Sequence, residues 1–221
     1  MNVSDAITAR HSTRAFRPDS ISADEVRDML SLAARAPSGG NLQPWMVHVI
    51  AGDAIAELKQ QIAHKFQAGE RETPEYNVYP TGLWEPLRSR RSEAARRRFV
   101  ATGVTENDEG TRLMQARNYA FFDAPVGLFF SIDRRAGPPQ WADVGMFMQN
   151  FMLLAVERGM ATCPQMIWAN WPISLTRFLQ IPDSFIMYSG MSLGYPDPQS
   201  PWNSFRTERE PVEGFARFIG F

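Results

Sequence analysis

The chain of 221 residues carries a single cysteine, Cys163, so no disulfide can form within it. That excludes a disulfide-stapled secreted scaffold, and a reducing compartment such as the cytoplasm is expected. Three histidines at positions 11, 48 and 64 supply no metal-ligand spacing with that lone thiol. No stretch approaches the roughly 18 apolar residues of a membrane span, and the first ten residues contain no apolar segment of the signal-peptide type. Neither sign of charge dominates: 23 Lys and Arg face 24 Asp and Glu, for a net −1. This balance argues against a nucleic-acid partner or an anionic membrane surface. No Gly-x-Gly-x-x-Gly opens a helix after the first strand-like segment, and no Gly-x-Ser-x-Gly or acid–base pair stands out. A Rossmann dinucleotide site and a hydrolase nucleophile are therefore unsupported.

Apolar residues are plentiful, at 44% of the chain with 12% aromatic. That suffices for a real core, and some of the aromatics could wall a flat ligand. Residues 2–11 suit a short helix capped by Ser4. Ser22-Ala23-Asp24-Glu25 forms a capping box, and Val26, Met29, Leu30 and Ala33 continue at helical spacing until Pro37 stops them near Ala36. Residues 45–50 alternate like a strand. Asp53 is expected to cap the next helix, with Ile55, Leu58, Ile62 and Phe66 on one face. From 68 to 110 the pattern dissolves, punctuated by Pro74, Pro80, Gly82 and Pro86. This reads as a long excursion with a helix over about 90–100, in a chain otherwise taken as one domain. A helix running to about 122 and a buried strand over 126–132 follow. Residues 141–158 form a helix apolar nearly all round, which implies cover by a second subunit. Residues 185–193 read as another strand. The tail from 198 to 221 keeps apolar anchors to its last residue, as a segment docked on a partner would. Strands alternating with helices argue for a mixed sheet covered by helices.

Two clusters bear on chemistry. In Arg10-His11-Ser12-Thr13-Arg14, two guanidiniums flank a hydroxyl, a set suited to an anionic group. A solvated basic helix end would look the same. In Pro37-Ser38-Gly39-Gly40-Asn41-Leu42-Gln43-Pro44-Trp45, a loop between helix and strand offers donors at close approach, although an ordinary tight turn would have this composition too.

Taken together and in order, these motifs resemble the flavin-binding N-terminal half of the nitroreductase family. Asp123-Ala124-Pro125-Val126, the Asn150–Leu154 helix with the Gly159–Gln165 segment, Gly194-Tyr195-Pro196 and the Arg206…Arg209-Glu210-Pro211 tail extend the likeness over almost the whole chain. The resemblance implies an α+β fold: a three-layer α/β/α sandwich with a mostly antiparallel central sheet, in an intertwined homodimer. It implies FMN as cofactor, NADPH or NADH as co-substrate, and a small electron-poor aromatic acceptor such as a nitroaromatic. Arg10, Ser12 and Arg209, with Arg206 beside them, would hold the FMN phosphate. Arg14 would stabilise charge at flavin N1 and the C2 oxygen, where the family often has Lys, and His11 would bond the ring's polar edge. Pro37, Ser38, Gly39 and Asn41 would reach the flavin of the opposite subunit. Pro164, Gln165 and Met166, in a loop from Thr162 to Met166, would lie along the isoalloxazine and supply an N–H near N5. A second family cation before the central strand has no clear match, with Arg117 and Asn118 as candidates.

The excursion, with Tyr79-Pro80, Trp84-Glu85-Pro86-Leu87 and six arginines between Arg88 and Arg98, resembles an insert of a nitroaromatic-reducing subgroup. It would fold over the flavin as a lid, and a basic lid would attract the 2′-phosphate of NADPH. A solvated helix face explains the same arginines. Cys163 has no evident neighbouring cation or helix N-terminus, so a nucleophilic role is not expected. Other chemistries of the same fold stay open: quinone or ene reduction, dehalogenation, flavin fragmentation, or FMN holding without turnover.

Overall fold

The computed structural model describes residues 1–221. Seven helices and four strands run in the order α1 (Val3–Ala9), α2 (Ala23–Ala33), β1 (Trp45–Ala51), α3 (Gly52–Gln67), α4 (Leu87–Thr102), α5 (Asp108–Tyr119), β2 (Val126–Asp133), α6 (Pro138–Glu157), β3 (Ala161–Gln165), α7 (Pro172–Leu179) and β4 (Phe185–Gly194). The strands form one sheet in the order β1-β2-β4-β3, with every neighbouring pair antiparallel. The mixed sheet that alternation suggested is therefore wrong, and the antiparallel expectation is right. A lone parallel bridge, Ser12 to Thr162, ties the N-terminal segment to the β3 edge.

Period-2 alternation along β2 splits the core into two layers. Phe129 points to one side, where it meets Leu58 and Ile62 of α3, Phe121, and Trp168. Leu128, Phe130 and Ile132 point to the other, against Met29 of α2 and Phe147 and Phe151 of α6. Trp168 and these phenylalanines are fully buried. Helices thus cover both faces, giving an α/β/α sandwich. Gly190 of β4 makes room for Trp168: a Cβ there would sit 2.3 Å from the indole Cδ1.

Several local expectations shift. Asn2, not Ser4, caps α1, its Oδ1 accepting from the Asp5 N–H at 2.9 Å. The Ser22 cap of α2 is as expected, accepting from the Glu25 N–H at 3.1 Å, but the helix ends at Ala33. Asp53 lies in the first turn of α3, whose N-cap is Ala51. The expected Thr162–Met166 loop is instead strand β3 followed by a 3₁₀ turn, Met166–Asn170, and helix α7 lies where no element was expected. The excursion contains α4, which starts three residues earlier and ends two residues later than anticipated. Phe99 is the only buried residue of α4. No helix is long and apolar enough to cross a membrane.

Candidate functional site

Four pieces of chain converge on one cleft of about 1380 Å³. The N-terminal segment after α1 is laid along β3 by the Thr13 N–H, which donates to the Thr162 carbonyl at 3.0 Å. The tail is fastened to it by Asn203. Its Oδ1 accepts from the Arg14 N–H at 2.7 Å, and its amide donates to the Ala15 carbonyl at 2.8 Å. Helix α4 closes the third side and binds the tail through Arg90–Glu210 at 2.6 Å and Arg97–Glu208 at 2.8 Å. Gln149 of α6 completes the lining.

Arginine dominates this cleft. Arg10, Arg14, Arg88, Arg90, Arg91, Arg98, Arg206 and Arg209 are among its 21 lining residues, and no Asp or Glu is. In a protein of net charge −1 this concentrates positive potential where low-dielectric walls strengthen it. Burial, then proximity to Arg209, makes the Arg10 guanidinium easier to deprotonate than usual. Burial also lowers the His11 pKa, with Arg206, Arg10 and Arg14 adding to the effect against a raising contact with the Ala9 carbonyl. Arg14 donates to the Ser12 carbonyl at 3.1 Å and lies 5.3 Å from the Phe205 ring centre. The arrangement suits a ligand that carries more than one anionic or electron-rich group.

Arg10, His11, Ser12, Arg14, Arg206 and Arg209 thus line one cleft. Pro37, Ser38, Gly39 and Asn41 do not line it. Their loop leans on α6, where the Gly39 N–H donates to the buried Asp143 at 3.3 Å. Pro164, Gln165 and Met166 are not part of its lining either. The Gln165 amide faces inward, donating to the main-chain oxygen and Oδ1 of Asn118 at 2.6 and 2.7 Å. Its Oε1 accepts from the Ser192 hydroxyl at 2.8 Å. Arg117 pairs with Asp123 at 3.2 Å and covers the Trp202 ring at 4.6 Å, while Asn118 is engaged with Gln165.

Two features were not resolved residue by residue in the sequence. Within the excursion, Tyr79, Leu83 and Arg98 are the ones that line the cleft beside its other arginines, and the signal for Arg98 was its spacing of seven from Arg91, which puts both on one helix face. Cys163, expected to lack cationic neighbours, has Arg14, Arg98 and Arg10 nearby. Burial nevertheless dominates and pushes the thiol up, so the residue stays inert.

The chain matches the nitroreductase family over residues 7–195. It is 36% identical to 4-nitrobenzoate reductase of Pseudomonas putida, covering 98% of this chain and 96% of that protein. It is 35% identical to nitrobenzene nitroreductase of Ectopseudomonas oleovorans, with the same coverage. Among solved structures, the FMN and NADPH-dependent nitroreductase NfnB from sphigopyxis sp. strain HMH superposes with a TM-score of 0.95 at 36% identity, covering 100% of both chains.

Proposed function

The chain belongs to the nitroreductase family, and from that premise we propose that it is an FMN-dependent oxidoreductase passing hydride from NADPH or NADH to a nitroaromatic or similarly electron-poor acceptor. The observation that carries this reading is the cleft lined by eight arginines and no carboxylate. That donor set fits FMN. Arg10, Arg209, Arg206 and the Ser12 hydroxyl would hold its phosphate, a mixture of charged and neutral donors. Arg14 is the cation for the pyrimidine edge, where negative charge grows on reduction; a fixed charge there makes reduction easier. Bound in this cleft, FMN supplies two-electron transfer at its N5 position.

The side chains position and shield rather than react. His11, with its pKa lowered by burial, serves as a neutral hydrogen-bonding group. Tyr79 and Leu83 give the cleft an apolar wall for a flat ring. Each two-electron turn takes hydride from the dinucleotide and a proton from solvent. The first turn removes one nitro oxygen as water and leaves the nitroso compound; the second adds hydride and proton to the nitroso group, gives the hydroxylamine and releases no water. No general acid from the protein is required.

The whole chain acts as one domain, residues 68–110 serving as lid and 198–221 as a tail that docks on a second copy. In that homodimer, Pro37, Ser38, Gly39 and Asn41 would approach the partner's flavin, and Pro164, Gln165 and Met166 would back the ring. Exposed Phe215, Phe218, Ile219 and Phe221 support a docked tail. The free, buried Cys163 thiol suits the cytoplasm.

Absorbance of the purified protein, followed anaerobically through addition of NADPH and then nitrobenzene, tests the reading. Flavin bands that bleach and return support it. A protein that cannot retain supplied FMN refutes it, and light scattering that gives a monomeric mass refutes the homodimer.

A further inference from the structure

Five of the six arginines of α4 have partners within the chain. Arg88 pairs with Glu85 at 2.7 Å, and Arg90 with Glu210. Arg91 covers the Tyr79 ring at 4.2 Å. Arg96 and Arg97 share Glu93. Arg98 has neither acid nor ring. It lines the cleft, and its Nε is buried with no hydrogen-bond partner. A buried, orphaned donor on a partly buried cation is destabilising unless something accepts from it. Burial is also the main reason its charged form is disfavoured, with Arg14 next. Both facts point to a missing anion.

The surroundings narrow the choice. Arg91, Ala94, Ala95 and Arg98 all line the cleft, a stripe along one face of α4 with two small residues between two guanidiniums. The alanines leave room for a ring, and Leu83 offers an apolar surface. The phosphate of FMN already has Arg10, Arg206, Arg209 and Ser12, and its pyrimidine edge has Arg14. The more exposed Arg88 and Arg90 stand with their carboxylate partners. A planar guanidinium set beside an apolar slot matches a carboxylate through two parallel hydrogen bonds.

We propose that Arg98 anchors a carboxylate on the acceptor, so that this enzyme prefers nitroaromatic acids to neutral nitroarenes. This deepens the proposed function and rests on it. The recognition is a matter of ground-state binding as well as orientation, so it is read in KM more than in kcat.

The experiment compares kcat/KM for 4-nitrobenzoate and nitrobenzene in the wild-type holoenzyme, in Arg98→Met and in Arg98→Lys. In parallel, the oxidised holoenzymes are titrated with benzoate and with benzamide, followed by flavin absorbance. The expected result is a wild-type preference for the acid. The Met substitution lowers the ratio of the two kcat/KM values by about 10- to 100-fold, the range for a lost charge-assisted hydrogen bond. Lys restores part of it. Benzoate binding weakens in step, and benzamide binding does not follow. The proposal is overturned if both substrates fall together while FMN affinity drops, which assigns Arg98 to the flavin. It is overturned if KM for NADPH rises and that for NADH does not, which assigns it to the dinucleotide phosphate. A wild-type enzyme that favours nitrobenzene overturns it as well. A holoenzyme that reduces neither compound strikes the proposed function instead, and the benzoate titration still decides the role of Arg98.

Discussion

Gln165→Glu changes one buried amide to a carboxyl of nearly the same volume, so its effect is electrostatic rather than steric. In the wild type the Gln165 amide nitrogen serves two acceptors on Asn118, at 2.6 and 2.7 Å, and Oε1 accepts from Ser192 at 2.8 Å. The substitution keeps the Ser192 contact and removes both donors. A flip of the Asn118 amide can turn its nitrogen toward the carboxylate and recover one bond. The Asn118 main-chain oxygen cannot flip and is left without its donor. One unsatisfied buried acceptor costs about 1–3 kcal/mol, which for a chain of this size lowers Tm by roughly 2–12 °C. The sign of the pH dependence follows. Burial beside oxygen acceptors raises the introduced carboxyl's folded pKa above its unfolded value of about 4.3. A raised group favours the folded state below the unfolded pKa and loses that contribution as pH rises through the folded pKa. Protonated, the carboxyl donates to Asn118 again. The deficit is therefore full near pH 8 and shrinks toward pH 4.5. Thermal unfolding of wild type, Gln165→Glu and the isosteric apolar control Gln165→Met across that range tests this. An acid variant as stable as wild type at pH 8, or one whose deficit grows on acidification, refutes the argument.

Gly190→Ala drives a methyl to 2.3 Å from the buried Trp168 ring, which is held by Phe121 and Phe129 at 4.7 and 5.3 Å. Overpacking of about 1–3 kcal/mol is expected, and a double-mutant cycle with Trp168→Phe should show coupling rather than additivity by denaturant unfolding. Arg10→Ala should weaken FMN binding by about 10- to 100-fold and riboflavin binding far less, as measured by fluorescence titration; an equal loss for both would remove Arg10 from the phosphate. Arg96 and Arg97 hold the Glu93 carboxyl down at about 2. Its contribution to α4 is therefore present above its unfolded value of about 4.3 and lost as pH falls toward 2. Hydrogen exchange of α4 amides should show wild-type protection falling faster than that of Glu93→Gln over this interval.

The sequence disclosed most where a local rule had a single outcome. The Ser22 capping box, the Pro37 stop and the alternation of residues 45–50 each named an element, because cap chemistry and side-chain period act within a few residues. Strand β3 was hidden because five residues ending Cys163-Pro164-Gln165 are too short and too proline-marked to read as a strand. Its pairing with β4 over residues 161–165 supplies what the local signal lacks. Asn2 and Ser4 are both good cap residues, and propensity alone could not choose between them. In the site, the charged N-terminal and tail residues were legible from their motifs. The inward turn of Gln165 was not, since nothing near position 165 in sequence announces Asn118 or Ser192. Arg98 was present in the charge run but indistinguishable from its neighbours. Only the folded chain shows which of the six has a partner.

Helix α4 fastens one wall of the cleft with little apolar area of its own. Its one buried residue, Phe99, contributes about 1.5–3 kcal/mol, and the exposed ion pairs to the tail add little to that. A segment so held detaches at a free energy of about 1.5–3 kcal/mol, and is open in roughly one molecule in ten to one in two hundred at any moment. Those ion pairs are screened over about 8 Å at physiological ionic strength. If α4 serves as the proposed lid, salt is expected to raise its opening frequency and with it the rate at which spent ligands leave. Trading surface charges on α4 and the tail would then tune that rate without touching the residues that line the cleft from the N-terminal segment.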